Sequence, residues 1–475
     1  MRLRPMCLCL RLCFLCLRLR WRRCPLIMKI FKKILSKRVK TGLYHYRATG
    51  KWQGLRLHLR IEENGSGVLI INASRVLFLN RTAAEHIYHF VTGKTEEDAA
   101  REIQRNFKIE YENALNDHQD LLFIINTFAK TSDICPISYL GVEKLEPFTQ
   151  EMSAPYRMDL ALTYRCNNQC FHCYAGGSRE TNELRTEAWF SVIDKIFELG
   201  IPHVVFTGGE PTVREDLPQL VRYAEEKGLV SGLVTNGRRL KDKEYLDALI
   251  QAGLDHIQIT LESFDEVVHD QITGVKGSWK ETVQGLKNAI ATPVYTLTNT
   301  TLTKYNIDDI VETIKFIHSL GLDQFACNSL IYSGKTPEAA KAFALDEARL
   351  EPSLTKIRDY AEMLGMEFIW YTPTQYCVLN PLQLELGIKS CSACRISMCV
   401  EPTGDVLPCQ SYFVPLGNLL KDDWKKIWNN PLCIEIRSRK YAPEKCRGCP
   451  HLSTCGAGCP LKLQNDTYLC GKVAP

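Results

Sequence analysis

Three cysteines in one short stretch, Cys166-Asn-Asn-Gln-Cys170-Phe-His-Cys173, are the residues whose types and spacing speak most directly of chemistry. Thiols at these separations converge from one loop onto one face of an iron–sulfur cube and leave its fourth iron without a protein ligand. An open metal position is where a substrate or cofactor binds. Zinc is the alternative, with His172 as a fourth ligand, but the loop would have to fold back on itself to present a residue lying between two others.

The 475-residue chain is long enough for two or three domains. It has 21 Cys, ten of them between Cys391 and Cys470, a distribution unlike a secreted disulfide scaffold. Such clusters imply metal ligation in a reducing compartment, which points to the cytoplasm at low oxygen. The net charge is +5, yet residues 1–28 alone hold seven Arg and no acidic residue, so the remainder is slightly acidic. Nothing beyond that first segment calls for nucleic acid or an anionic membrane.

The elements that must position the cysteines alternate as βα units, the mark of a parallel sheet. The expected strands are 158–162, 203–206, 231–234, 256–261, 294–302 and 323–327, with helices such as 186–199, capped by Thr186, and 308–320 between them. Six units fit an incomplete barrel, whose chemistry belongs on loops at the C-terminal strand ends. The motifs fall there: Cys166–Cys173 after the first strand, Gly208-Gly209-Glu210-Pro211 after the second, Thr235-Asn236-Gly237 after the third and Glu262-Ser263 after the fourth. Paired glycines let backbone approach a ligand, and the adjacent carboxylate can accept from an ammonium.

The cysteine spacing, its place after a strand and the downstream Gly-Gly-Glu-Pro together resemble the radical S-adenosylmethionine (SAM) superfamily. The resemblance implies a partial (β/α)6 barrel, a 4Fe-4S cluster on Cys166, Cys170 and Cys173, and SAM chelating the open iron. It implies that Gly208, Gly209 and Glu210 hold the SAM amino group, with Thr235, Asn236 and Glu262 on the ribose side. Glu262 stands where relatives commonly carry Asp.

Farther on, Cys391, Gly404 and Cys409, then Cys446-x2-Cys449-x5-Cys455-x3-Cys459 and Cys470, reproduce the seven-cysteine pattern of the SPASM-type auxiliary domain. Thiolates favour iron–sulfur ligation, in numbers sufficient for two more cubes. By resemblance, Cys391, Cys409 and Cys459 belong to the first auxiliary cluster and Cys446, Cys449, Cys455 and Cys470 to the second. Cys394 and Cys399 are spare thiols, either of which could complete the first cluster. Cys433 matches no pattern position, Cys377 is unassigned and Cys135 is expected to ligate nothing. Zinc held by four thiolates is the alternative for the second cluster. Trp424 and Trp428 are spaced to pack as the core of a short helix.

Residues 1–28 form a basic leader of alternating Leu, Arg and Cys, and Met28 is the expected start of translation. A basic membrane anchor is the rival, though the Arg and Leu alternate at a strand period. Residues 52–130 read as two or three strands followed by three helices, with capping boxes at Thr82–Glu85 and Thr95–Asp98. This order is similar to the winged-helix peptide chaperone of pyrroloquinoline quinone biosynthesis, Leu79–Ala84 being the best local match. It implies an α+β domain that binds the leader of a precursor peptide by strand addition. Glu112, Asp117 and Asp120 on the third helix argue against DNA. A structural cap is the alternative. A linker at 131–155, the barrel at 156–330, a connector at 331–390 with a helix over 337–364, and the cysteine-rich domain at 391–475 complete the chain.

The reading is a radical SAM enzyme that generates a 5′-deoxyadenosyl radical and modifies a ribosomally made precursor peptide, with flavodoxin or ferredoxin as electron donor. The alternatives are modification of a small molecule or haem precursor, sulfatase-type maturation, and a metal-loaded redox regulator.

Overall fold

Alternating basic and apolar residues over Arg56–Ile61 make a strand whose two faces have different partners. It is the second of an antiparallel four-stranded sheet, β1 (Gly42–Arg47), β2 (Arg56–Ile61), β3 (Gly67–Ile71) and β4 (Arg75–Leu79). Leu57, Leu59 and Ile61 turn to one face and pack with Ile87 and Ile125 from the helices that follow. Those helices are α1 (Arg81–Val91), α2 (Glu96–Phe107) and α3 (Tyr111–Lys130). The computed structural model describes residues 39–48, 55–72, 75–130, 152–178, 181–334 and 336–465. Residues 1–28, Cys135, most of the expected linker and Cys470 lie outside the described residues.

Three strands and three helices fall within 52–130, and β1 precedes them. Thr95 caps α2, accepting from the Asp98 N–H at 3.2 Å. The α1 cap is Asn80 rather than Thr82: its side chain accepts from Ala83 N–H at 2.9 Å, and Asn caps as well as Thr. Glu112, Asp117 and Asp120 are exposed.

Six parallel strands follow in chain order, β5 (Arg157–Thr163), β6 (His203–Gly208), β7 (Val230–Thr235), β8 (His256–Thr260), β9 (Tyr295–Thr301) and β10 (Gln324–Asn328). Helices α4 (Thr186–Glu198), α5 (Leu217–Glu226), α6 (Lys243–Gln251), α7 (Glu266–Thr273), α8 (Ser278–Ile290) and α9 (Ile310–Ser319) cover them. A fully buried core from Leu160 and Trp189 through Phe206, Ile257 and Phe325 joins sheet to helices. Helix α4 lacks the expected cap: Thr186 is its first residue, and its hydroxyl donates to Asp216 at 2.7 Å.

The sheet extends at both ends. β11 (Glu367–Trp370) lies parallel beside β10, β12 (Ser397–Val400) parallel beside β5, and β13 (Val406–Leu407) antiparallel to β12. The cysteine-rich region is therefore hydrogen-bonded to the first barrel strand. The connector helix is two helices, Thr336–Phe343 and Glu347–Met363. Trp424 and Trp428 stack at 5.8 Å in a short helix, as their spacing predicts.

The second face of β2 meets the barrel. Arg56 donates to Leu229 O at 2.7 Å and Glu225 at 3.1 Å and pairs with Asp255; His58 Nε2 lies 2.7 Å from Gly228 O. Arg60 donates to Pro155 O at 2.9 Å. Residues 228, 229 and 255 precede β7 and β8, so the N-terminal domain docks on the barrel face opposite the motif-bearing loops.

Candidate active site

The cysteine loop after β5 is tied on every side. Gln169 N–H donates to Thr273 O at 2.8 Å, Asn236 Nδ2 to Asn167 Oδ1 at 2.6 Å, Arg238 Nη1 to Asn168 Oδ1 at 2.9 Å and Thr336 Oγ1 to His172 O at 2.9 Å. The α7 end, the β7 end and the connector thus fix where the thiols stand.

Gly208 and Gly209 are dictated by the neighbouring backbone, not only by access for a ligand. A Cβ at Gly208, whose φ is +136°, would stand 2.2 Å from Thr163 O, and one at Gly209 would stand 2.4 Å from Arg165 O. That closeness lets Gly209 N–H reach Thr163 O at 2.8 Å and Glu210 N–H reach Arg165 O at 2.9 Å.

Glu210 is buried. Its carboxylate accepts from Thr212 Oγ1 at 2.6 Å, Thr212 N at 3.1 Å, Thr235 Oγ1 at 2.7 Å and Asn236 N at 2.8 Å. Burial raises its pKa, and these donors oppose the rise. Three of these donors crowd Oε1 and only Asn236 N–H reaches Oε2, so Oε2 keeps room for one further donor. Glu262 is wholly buried, with Oε2 accepting from Thr301 N–H at 3.0 Å and Oε1 lying 3.2 Å from His172 Nε2.

One cavity of about 600 Å³ is lined by Cys166, Cys170 and Cys173 and also by Cys391, Cys409 and Cys459. Gly208, Gly209, Glu210, Thr235, Asn236 and Glu262 line it too. Its size falls in the range of small-molecule sites. Cys446, Cys449 and Cys455 stand apart from it as a separate group, close enough that Cys455 and Cys449 raise the Cys446 thiol beyond the effect of burial. Cys455 Sγ accepts from Tyr376 N–H at 3.3 Å. Cys399 is a core thiol on β12, buried among Ala161, Tyr164 and Leu407. Cys377 is disulfide-bonded.

The donor set fits iron–sulfur ligation. Cys166, Cys170, Cys173, Cys391, Cys409 and Cys459 are all free thiols. Burial pushes Cys166 up to about 12, with Glu210 adding to the rise, and lifts Cys170 well above its ordinary range. Crowded thiols of this kind need a cation to become thiolates. Cys166 Sγ also accepts from Asn168 N–H at 3.3 Å, the kind of outer hydrogen bond that supports a metal-bound sulfur. Among the described residues, no three His, Cys, Asp or Glu side chains close around one point at single-ion distance. The thiols share a cavity wall.

The cavity also holds residues that the motifs do not mark. Arg157 and Asp159 lie on β5, joined at 2.8 Å between Nε and Oδ1 and 3.3 Å between Nη2 and Oδ2. Asp159 is buried, which raises its carboxyl pKa against the opposing pull of Arg157. One acid inside the apolar run Met158–Leu162 is the signal that identifies it. Asn299 and Gln258 also face this volume from β9 and β8.

Comparison with known proteins agrees with this architecture. A model of the radical SAM superfamily matches residues 160–317, and the SPASM iron–sulfur cluster-binding domain matches residues 391–450. PqqA peptide cyclase of Gluconobacter oxydans (strain 621H) is 30% identical over 315 residues, 65% of this chain and 86% of that protein. Streptococcus suis SuiB bound to S-adenosylmethionine aligns with a TM-score of 0.66 at 20% identity, covering 86% of this chain and 96% of SuiB. SuiB bound to its precursor peptide SuiA aligns at 0.64 and 18% identity, covering 86% and 95%. The chain belongs to the radical SAM superfamily and carries a SPASM iron–sulfur domain after its barrel.

Proposed function

We propose that this enzyme modifies a ribosomally synthesised precursor peptide in the cavity shared by Cys166, Cys170 and Cys173 with Cys391, Cys409 and Cys459. That shared cavity is the observation that carries the reading, because a substrate side chain within it meets both sets of thiols. The relative named as a peptide cyclase and the SuiB complex with its precursor peptide support a peptide substrate.

In this reading Cys166, Cys170 and Cys173 hold the SAM-binding 4Fe-4S cluster. Cys391, Cys409 and Cys459 hold the first auxiliary cluster, and Cys446, Cys449, Cys455 and Cys470 the second. Bound at Cys166, Cys170 and Cys173, the cluster and SAM would supply radical hydrogen-atom abstraction from the substrate. The chain supplies position and electrostatics. Glu210 offers its remaining acceptor site to the SAM ammonium, while Gly208, Gly209, Thr235 and Asn236 shape the wall and Glu262 anchors the cysteine loop. Asp159 is the buried carboxyl available to take a substrate proton, and Arg157 orients it. Flavodoxin or ferredoxin in the cytoplasm is the electron donor.

Residues 52–130, together with β1 before them, are the peptide-recognition domain. β1 and β4 are the edges of its sheet, and an edge strand offers unpaired N–H and C=O groups to an added strand. The test is anaerobic incubation of the full-length enzyme with SAM, reductant and a precursor peptide encoded beside it, read by peptide mass. A changed core mass, lost when the leader is removed, supports the proposal. SAM cleavage with no peptide bound and no mass change would move the substrate to the small-molecule class.

A further inference from the structure

Two thiols outside the seven-cysteine pattern have been placed against each other. Cys394 and Cys433 are both fully buried, and their sulfurs lie 2.8 Å apart. Unbonded carbons settle at about 3.5–4.0 Å, and sulfur is the larger atom, so this pair stands inside ordinary non-bonded contact. Neither lines the cavity that Cys391, Cys409 and Cys459 share.

Each arm is held by its own contacts. Cys394 N–H donates to Pro408 O at 3.1 Å, and Cys394 O accepts from Arg437 Nη1 at 3.3 Å. Cys433 lies in the helix Pro431–Arg437, capped by Asn430, whose side chain accepts from Leu432 N–H at 3.0 Å. Arg437 also donates to Trp428 O at 2.6 Å, lies 4.4 Å from the centre of the Trp428 ring, and receives Arg395 Nη2 on its own carbonyl at 2.6 Å. The sulfurs are therefore brought together by two anchored segments, and the Cys394 thiol, with the Arg437 guanidinium nearby, favours the thiolate of Cys433.

We propose that Cys394 and Cys433 are a redox modification site, a dithiol that closes to a disulfide with a hydroperoxide as oxidant. One thiolate attacks the peroxide; the O–O bond breaks, and a sulfenic acid forms as water or an alcohol leaves. The second sulfur then displaces the sulfenic oxygen as water, making the S–S bond. With hydrogen peroxide, two thiols and one peroxide give one disulfide and two waters. The sulfurs give up two electrons, and the O–O bond takes them. The bond would staple the turn after Cys391 to the helix at 431–437 while leaving the pattern cysteines untouched.

The test uses the full-length enzyme with its clusters. Treat it anaerobically with one equivalent of hydrogen peroxide, alkylate in denaturant, digest and map the cysteine peptides by mass. The expected product is a linked Cys394–Cys433 peptide pair, two hydrogens lighter than the reduced peptides and absent before treatment. In Cys394→Ser, dimedone should trap Cys433 as a sulfenic acid. Iron content should be unchanged in Cys394→Ala; a loss of iron there would make Cys394 a cluster ligand and overturn the proposal. Both thiols remaining alkylatable after peroxide has oxidised other cysteines would overturn it as well, and that result needs no variant to fold.

Discussion

His172 Nε2 lies 3.2 Å from Glu262 Oε1, which joins the cysteine loop to the end of β8. The carboxylate is wholly buried and accepts from Thr301 N–H with its other oxygen, so it spans the loop and β9 as well. In this orientation the imidazole Nε2 serves the barrel wall instead of a metal among the three cysteines. The greater reach of Glu over Asp has a use here, because the carboxylate meets partners on two different elements.

Glu262→Ala should therefore act on the metal site through the loop. It leaves the buried Thr301 N–H without its acceptor and removes the carboxylate beside His172, and an unsatisfied buried group costs about 1–3 kcal/mol. The expected outcome is a lower melting temperature and loss of up to about four of roughly twelve irons per chain, the content of one cube among three. Glu262→Gln, which keeps the shape, should lose less. Iron assay and thermal melting check both, and wild-type values for Glu262→Ala would remove the anchoring role.

Glu210 calls for a gentler substitution. Alanine would strand the four donors from Thr212, Thr235 and Asn236, mixing fold with function. Glu210→Gln keeps an acceptor oxygen and removes the charge. A hydrogen bond to a charged group contributes about 1.5–3 kcal/mol, so SAM affinity should fall roughly 10- to 100-fold with iron content preserved. Equilibrium binding on anaerobic enzyme measures this, and unchanged affinity would remove Glu210 from the cofactor's ammonium.

Much of this was legible because buried parallel strands leave unmistakable apolar runs. Met158–Leu162 and His203–Phe206 lie inside β5 and β6, whose residues are almost all buried. The cysteine spacings marked the site because ligands from one loop must follow one another closely. What did not show were relationships between distant segments. β12 is only Ser397–Val400, hidden among cysteines, yet it pairs with β5 and brings Cys391 and Cys409 to the cavity. Nothing local in Arg56, His58 and Arg60 says that their face meets the barrel instead of water. β1, Gly42–Arg47, has a weak apolar pattern and gains its partner from β2.

The histidines at that docked face set an acid limit. Burial is the main cause of the lowered pKa of His58 and His256, each to about 4, and it also holds His203 well below the ordinary imidazole range. His203 and His256 meet at 2.8 Å between Nε2 atoms, and Arg56 and Arg157 nearby further disfavour a proton. The unfolded chain takes up these protons from about pH 6.5 downward, whereas the folded chain resists until about pH 4. Stability is therefore complete above about pH 6.5 and falls as pH drops towards 4, by up to about 1.4 kcal/mol per pH unit for each such histidine. Melting temperatures from pH 7 to 4.5 should show the slope, and His58→Gln should make it shallower. Equal slopes for the two proteins would show that His58 does not contribute.

The last prediction comes from where the N-terminal domain sits. Arg56 and His58 dock it beside Gly228, Leu229 and Asp255, at the strand ends opposite the cysteine loops. A peptide held there by its leader must pass the height of the barrel before its core reaches the cavity. Strand β5 has seven residues, and at about 3.3 Å per residue it is roughly 23 Å long. An extended spacer needs at least about seven residues to cover that distance, and more if it follows a curved surface. Removing residues between leader and core should leave leader affinity unchanged and abolish core modification once the spacer falls below that length. Gly-Ser residues inserted in their place should restore it, because the requirement is reach and not sequence. The measurement pairs leader titration with the mass of the product for a series of spacer lengths. Full modification with the spacer deleted would mean that the leader binds elsewhere, near the cavity mouth.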